Sequence, residues 1–285
     1  MSDKKVVSET LYQGYAQSFE VTEQLFEVNT GHQHLEIVNT PFMGRVMLLD
    51  GVVQTTEKDE FIYHEMMVHV PLFAHPNPKR VLIIGGGDGG ILREVSRHKN
   101  IEHITQVEID QSVIDMCKEY FPNHSKGAFD DPRANIVIAD GKDFVANCSE
   151  KFDVIISDST DPIGPGEVLF TSDFYADEKN NCLAEGGIMV AQNGVPFMQG
   201  DEIATTHQRL SKIYADNSFY VMPVPTYIGG FMTLAWASDD SSLRRQTAEQ
   251  IQSRIDAAGF DTRYYNADVH VASFALPNYV KALMK

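Results

Sequence analysis

The sequence predicts an α/β protein: a doubly wound, largely parallel sheet preceded by a small antiparallel β domain. Three observations carry this. The stretch Arg80-Val-Leu-Ile-Ile-Gly85-Gly-Gly-Asp88-Gly-Gly90 sets a short apolar run against a glycine-rich turn, with a helical pattern from Ile91. A strand buried on both faces, followed by a tight βα turn, requires that arrangement. Strand and helix patterns then alternate to about residue 193, as parallel strands joined by crossover helices do. Before residue 60 the pattern is instead one of short paired strands with tight turns.

Taken in order, residues 9 to 55 read as antiparallel strands. Leu25 to Gly31 and His34 to Asn39 form one hairpin candidate; Arg45 to Thr55, turning on Asp50-Gly51, forms another. Residues 59 to 70 place apolar residues at helical spacing behind an acidic start. Pro71, Pro76 and Pro78 punctuate the passage into the glycine turn. Beyond it, helices are expected at about 90–97, 112–120, from Lys142, and at about 172–183. Strands are expected at 103–110, 134–140, 152–158 and 187–193. Phe219 to Pro225 and Phe231 to Trp236 are linked only by Thr226-Tyr-Ile-Gly-Gly230, too short for a crossover, so they make an antiparallel pair. A parallel sheet finished by a terminal antiparallel strand is the pattern of methyltransferase-like Rossmann folds. The division expected is a β-strand domain over residues 1–75 and a Rossmann-like catalytic domain over 76–285.

Composition narrows the function classes. A formal charge of −17 argues against nucleic acid as a partner. No stretch approaches the ~18 uninterrupted apolar residues of a membrane span, and the polar start Met1-Ser-Asp-Lys-Lys has no apolar signal core. Cys117, Cys148 and Cys182 are odd in number and widely spaced, fitting neither a disulfide framework nor a zinc site. A cytoplasmic location, no membrane contact and no bound metal are the expectations.

In open α/β sheets ligands lie beyond the carboxyl ends of the strands, where strand order reverses. Four strands here end in an acid: Asp88 just past the first, then Glu108, Asp140 and Asp158. With a 3-2-1-4-5 order, Asp88, Asp158 and Asp161 share one pocket, with Glu108 and Asp140 to the other side. Gly85, Gly87 and Gly90 make a formal G-x-G-x-x-G, with Gly86 between them. Asp88 is out of place there, because a carboxylate in a phosphate cradle repels phosphate. Glu108, 18 residues beyond Gly90, stands where an acid bonds ribose hydroxyls. Asp140-Gly141 suits either an adenine amine or a plain turn. The proline-rich segment from Asp158 to Glu167 reads as a loop over the pocket. Several carboxylates in one cleft need a cation, and a hard metal or an organic polycation serves equally well.

The stretches Val52–Met66 (VVQTTEKDEFIYHEM), Val81–Gly89, Val107-Glu-Ile-Asp110, Ser157–Pro165, Ala191–Gly194 and Pro225-Thr-Tyr227 resemble spermidine synthases, the polyamine aminopropyltransferases, and the likeness runs essentially the whole length. That family transfers an aminopropyl group from decarboxylated S-adenosylmethionine, a co-substrate rather than a cofactor, to putrescine. The resemblance implies nucleoside contacts at Gln33, Glu108, Asp140, Gly141 and Pro165. It implies amine and aminopropyl contacts at His64, Asp88, Asp158 and Asp161, with Asp158 as the base, and an amine channel lined by Tyr63, Gln192 and Tyr227. Position 64 is His here and in the bacterial branch, whereas other branches carry Gln. A homodimer is implied, with a homotetramer also compatible. Without the resemblance, Tyr63 and His64 belong to a helix whose other face (Phe61, Met66, Met67, Val70) is core.

The chemistry needs no metal, since the donor's sulfonium already makes the methylene carbon electrophilic. The attacking amine must lose its proton. An amine near ~10 and an ordinary carboxylate near ~4 leave roughly 8 kcal/mol uphill, so crowding by Asp161 and Asp88 should raise Asp158. Asp88 should repel the carboxylate of intact S-adenosylmethionine and favour the decarboxylated donor. The same fold also suits a methyltransferase, the alternative reading. A nicotinamide dehydrogenase is disfavoured by Asp88, and a non-catalytic paralogue by the retention of Asp158 and Tyr63.

Overall fold

The structure is a computed structural model that describes residues 5–159 and 164–285. The chain opens with the hairpin β1 (Val6–Tyr12) and β2 (Tyr15–Glu20). A four-stranded antiparallel meander follows: β3 (Glu23–Asn29), β4 (His34–Thr40), β5 (Gly44–Leu49) and β6 (Val52–Thr56). The two expected hairpins are thus halves of one sheet. Leu35, Ile37, Met47 and Leu49 on its inner face pack on Val113, Cys117 and Phe121 of the next unit.

The alternation that follows is α1 (Glu60–Ala74), β7 (Arg80–Gly85), α2 (Gly90–Ser96), β8 (His103–Glu108), α3 (Gln111–Tyr120), the single turn α4 (Pro122–Ser125), β9 (Ala134–Ile138), α5 (Gly141–Asn147) and β10 (Phe152–Asp158). Then come α6 (Ser172–Asp177), β11 (Leu183–Gln192), α7 (Gly200–Leu210), β12 (Asp216–Pro223) and β13 (Phe231–Ser238), with α8 (Ala248–Ala258), α9 (Ala267–Ser273) and α10 (Asn278–Leu283) closing the chain. The large sheet has the order β12-β13-β11-β10-β7-β8-β9. Its five consecutive parallel strands carry the expected 3-2-1-4-5 order. The antiparallel strand is β13, but it sits between β11 and β12 and leaves β12 at the edge.

Burial explains why β7 reads as an unbroken apolar run. Val81 and Ile83 face one core with Leu92, Val95 and Ile251, while Leu82 and Ile84 face another with Val145, Phe174 and Ile203. Strand alternation thus serves two covered faces at once. The first helix runs four residues beyond its expected end, through Pro71 to Ala74. It is buried nearly all round, so packing against the sheet sustains the last turn despite the missing amide. Glu65 docks the C-terminal segment onto it, accepting the amides of Arg263, Tyr264 and Tyr265 at 2.8–2.9 Å. No helix of the described residues is long and apolar enough to cross a membrane.

The helix expected at about 172–183 ends at Asp177 and passes into a π-turn, Glu178–Cys182, that releases the chain into β11. Glu178 is fully buried, and burial holds its carboxyl well above the usual range. A raised folded-state value makes the fold lose stability as pH climbs above the ordinary glutamate range. Glu178→Gln should therefore raise the melting temperature at pH 8 by several degrees more than at pH 4, as differential scanning fluorimetry would read. Equal shifts at both would rule out the titration as the cause.

Candidate active site

The carboxyl ends of β7, β8 and β10 and the β9–α5 turn meet at a cavity of about 370 Å³, a size suited to a small molecule. The sheet edge contributes Gly85, Gly86, Gly87, Asp88, Glu108, Asp140, Gly141 and Asp158 to its wall. Tyr63 and His64 come from α1, Gln192 from the end of β11, Tyr227 from the β12–β13 link, and Gln33 from the β3–β4 turn. Gly166, Val168 and Leu169 complete the wall beyond β10, where a covering loop was expected. Asp161 and the side chain of Pro165 lie outside the described residues.

Strand register sets the centre. Asp158 pairs with Gly85 across β10 and β7, and a Cβ on Gly85 would meet the Asp158 carbonyl oxygen at 2.0 Å. Only glycine lets the two strand ends lie this close. The Gln106 amide bonds the Gly85 and Gly86 carbonyls at 2.9 and 2.7 Å, which ties the turn down. Gly90, the last glycine of the motif, makes room for a side chain rather than a phosphate: its Cβ would meet the His64 ring at 2.2 Å.

Asp88 is now explained. Its Oδ1 accepts the Gly90 amide at 2.8 Å, capping its own turn, and its Oδ2 lies 3.2 Å from His64 Nε2. The other ring nitrogen, Nδ1, is 2.6 Å from Glu60 Oε2. Burial opposes charge on this imidazole, but the two carboxylates outweigh it and its pKa is pushed up to about 10. Burial likewise opposes the Asp88 charge, and the imidazolium overrides it, holding Asp88 well below the usual carboxylate range. The carboxylate that sequence left bare is half of an ion pair.

Asp158 Oδ1 accepts the Tyr63 hydroxyl at 2.5 Å. Burial pushes Asp158 up to about 6; the Tyr63 bond and His64 pull it down, while Asp88 adds to the rise. Carboxylate crowding was the expected cause, and desolvation is the larger one. Burial also holds the Tyr63 phenol well above its ordinary value, so it stays a donor. The Tyr227 ring meets Tyr63 edge-on at 5.8 Å, and its hydroxyl donates to the Gln54 carbonyl at 3.0 Å. Asp59 sets that spacing by accepting the Thr56 hydroxyl at 2.6 Å and the Thr226 amide at 2.8 Å.

On the other side, burial drives Glu108 up to about 7 although the Asp110 amide is bonded to it at 2.9 Å. Asp110 caps α3 through Ser112 and holds the Gln33 amide at 3.4 Å. Asp140 caps α5 through Lys142 at 2.8 Å, so the turn reading and the cavity-lining reading are both true of it. Sequence reasoning missed Glu60, Arg93 and Glu9. Glu60 and His64 stand at i, i+4 on one helix face, a signal that was legible. Glu9, buried on β1 and facing the cavity, had no spacing signal at all. Gln17 orients it at 2.8 Å and reaches the Thr226 carbonyl at 2.7 Å.

A family model described as the spermine/spermidine synthase domain matches residues 60–247, and one described as the spermidine synthase tetramerisation domain matches residues 6–57. The chain belongs to the spermine/spermidine synthase family. Polyamine aminopropyltransferase 1 of Pseudomonas aeruginosa is 62% identical over 272 residues, 95% of each chain. The polyamine aminopropyltransferase of Pectobacterium carotovorum is 57% identical over 285 residues, 100% of this chain and 99% of that one. Among solved structures, a spermidine synthase in complex with the transition-state analogue AdoDATO superposes with a TM-score of 0.92 at 39% identity, covering 98% of this chain and 94% of that one. Spermidine synthase from Thermotoga maritima gives 0.91 at 38% identity, covering 99% and 94%. Membership of this family makes the chain an aminopropyltransferase of the polyamine class.

Proposed function

We propose that the cavity transfers the aminopropyl group of decarboxylated S-adenosylmethionine to putrescine, giving spermidine and S-methyl-5'-thioadenosine, with Asp158 as general base. The observation that carries this is the placement of Asp158: a half-buried carboxylate, oriented by Tyr63, between an acid-lined half of the cavity and an aromatic-lined half. The putrescine nitrogen forms the new bond to the methylene carbon as the C–S bond breaks, its electron pair leaving on sulfur and cancelling the sulfonium charge. The amine proton goes to Asp158. With Asp158 near 6 and an amine near ~10, the uphill transfer falls to roughly 5 kcal/mol. Positive charge on the sulfonium and on the far ammonium of the diamine lowers the attacking amine further.

Glu108, Asp140, Gly141 and Gln33 are assigned to the nucleoside, and Pro165 is carried with them by likeness. Tyr63, Gln192 and Tyr227 are assigned to the amine channel, and His64, Asp88 and Asp161 to the polyamine and aminopropyl side. Glu9 is added as a carboxylate for the far ammonium. Glu9→Gln should raise KM for putrescine about tenfold, the equivalent of one charge-assisted hydrogen bond, with kcat nearly unchanged. A fall in kcat at constant KM would remove Glu9 from that role. Incubating the enzyme with putrescine and either donor tests the whole reading: spermidine and methylthioadenosine should form only with the decarboxylated one. Methylated putrescine from the intact donor would sink it in favour of a methyltransferase. The chain is proposed to act as a homo-oligomer in the cytoplasm. The match of residues 6–57 to a tetramerisation domain supports assembly, and light scattering separates dimer from tetramer.

A further inference from the structure

A continuous chain of buried and half-buried charges runs from the catalytic cavity to Arg97. Asp88 holds His64 Nε2 at 3.2 Å, and Glu60 Oε2 holds His64 Nδ1 at 2.6 Å and Arg93 Nη2 at 2.9 Å. Arg93 Nε reaches Glu94 at 2.7 Å, and Glu94 holds Arg97 at 2.6 Å and His69 at 3.0 Å. Asp88, Glu60 and Glu94 cancel His64, Arg93 and Arg97 one for one. Glu60, Arg93, Glu94 and Arg97 line a second cavity of about 640 Å³, so the chain spans two cavities. Arg93 is further fixed by the His124 carbonyl at 2.7 Å.

With Glu60 and Asp88 ionised, the geometry sets the state of His64. A neutral imidazole has one N–H, yet both ring nitrogens here face carboxylate oxygens, which only accept when ionised. Both nitrogens must donate. We propose that Glu60, gripped by Arg93, is a positioning residue for the transfer reaction: it fixes His64 as an imidazolium with its second N–H on Asp88. The Asp88 part of the cavity wall is thereby neutralised before any substrate arrives. This rests on the reading of the cavity as the transfer site.

The consequence reaches the base. Asp88 and His64 act on Asp158 with opposite signs. Without the Glu60 charge, His64 releases its proton more easily, Asp88 faces Asp158 uncompensated, and Asp158 rises. The groups facing His64 are Glu60 and Tyr63 from α1, Asp88 from the glycine turn, Asp158 from β10, and His124 from α4 at 6.0 Å between rings. Arg93 on α2 acts through Glu60. Burial lowers His124 below its ordinary value, and what charge it carries acts on Asp88 in the same direction as His64 does.

The test is a pH titration of the histidine rings by NMR, with His64 assigned from the His64→Gln variant, beside the pH dependence of kcat/KM for putrescine. In the wild type His64 should keep its proton up to about pH 10. Glu60→Gln should lower that midpoint by about 3 units or more, since burial then outweighs the one remaining carboxylate; this brings it into the range where Asp158 titrates and moves the acid limb of kcat/KM to higher pH. In a His64→Gln background the same substitution should leave the limb in place, which a merely structural role would not do. A wild-type ring titrating near the ordinary ~6.5, or an equal limb shift in both backgrounds, overturns the proposal. Should Glu60→Gln fail to fold, the wild-type titration still decides. Because that titration needs no substrate, it stands apart from the activity reading, which fails separately if no spermidine forms.

Discussion

Asp158→Asn is expected to lower turnover at neutral pH by about 10²–10⁴-fold, the usual contribution of a positioned base, while the donor still binds. Asparagine keeps an oxygen to accept the Tyr63 hydroxyl and loses the capacity to take the amine proton. The pH profile sharpens the test. The folded-state value of Asp158 is raised to about 6, and the base works only when ionised. In the wild type kcat/KM should therefore fall as pH drops through about 6, and the variant should lack that limb. Stability separates chemistry from folding. A raised carboxylate weakens the fold as pH climbs from its unfolded value towards the folded one, so the Asn variant should melt no lower than wild type at neutral pH. Single-turnover kinetics with calorimetric donor binding would measure both effects. Near-normal turnover would sink the assignment.

Asp88→Asn is expected to narrow the preference for the decarboxylated donor over intact S-adenosylmethionine by about 10²-fold, read as the ratio of the two dissociation constants. The reasoning differs from the one that sequence offered. Asp88 does not confront the donor as a bare anion; it neutralises His64 across 3.2 Å. Removing its charge leaves an imidazolium, still held by Glu60, facing the cavity. That positive charge repels the donor's ammonium and attracts the carboxylate that the decarboxylated donor lacks. Opposed charges of this kind are worth several kcal/mol when water is excluded, which exceeds the ~2.7 kcal/mol that a hundredfold ratio requires. An unchanged ratio would place donor selectivity elsewhere in the cavity.

Both expectations turn on the same separation of local from long-range information. The strand–turn–helix unit at Arg80–Arg93, the alternation after it and the short link Thr226–Gly230 are local patterns. Backbone periodicity and loop length constrain them directly, so the alternation and the antiparallel pair were legible from residues alone, whereas the 3-2-1-4-5 order came in with the fold class as a condition. The strand-end acids Glu108, Asp140 and Asp158 were legible for the same reason. The C-terminal helices were not singled out, although Thr247-x-x-Gln250 forms a capping box at the start of α8 that could have marked one of them.

What the sequence by itself determined is the class of fold, the edge of the sheet where ligands gather, and the residues resembling a known active site. Only the tertiary structure decided the charge states on that edge. His64 is charged because α1 crosses the glycine turn closely enough to set its ring between Glu60 and Asp88. Asp158 is raised chiefly because packing strips its water, and Asp88 adds to the rise against the Tyr63 bond. Glu9 reaches the cavity because a hairpin from the start of the chain folds over it. Desolvation and contacts between segments far apart in the chain have no signature in local spacing. They turn Asp88 from an anomaly in a phosphate turn into one half of a buried ion pair.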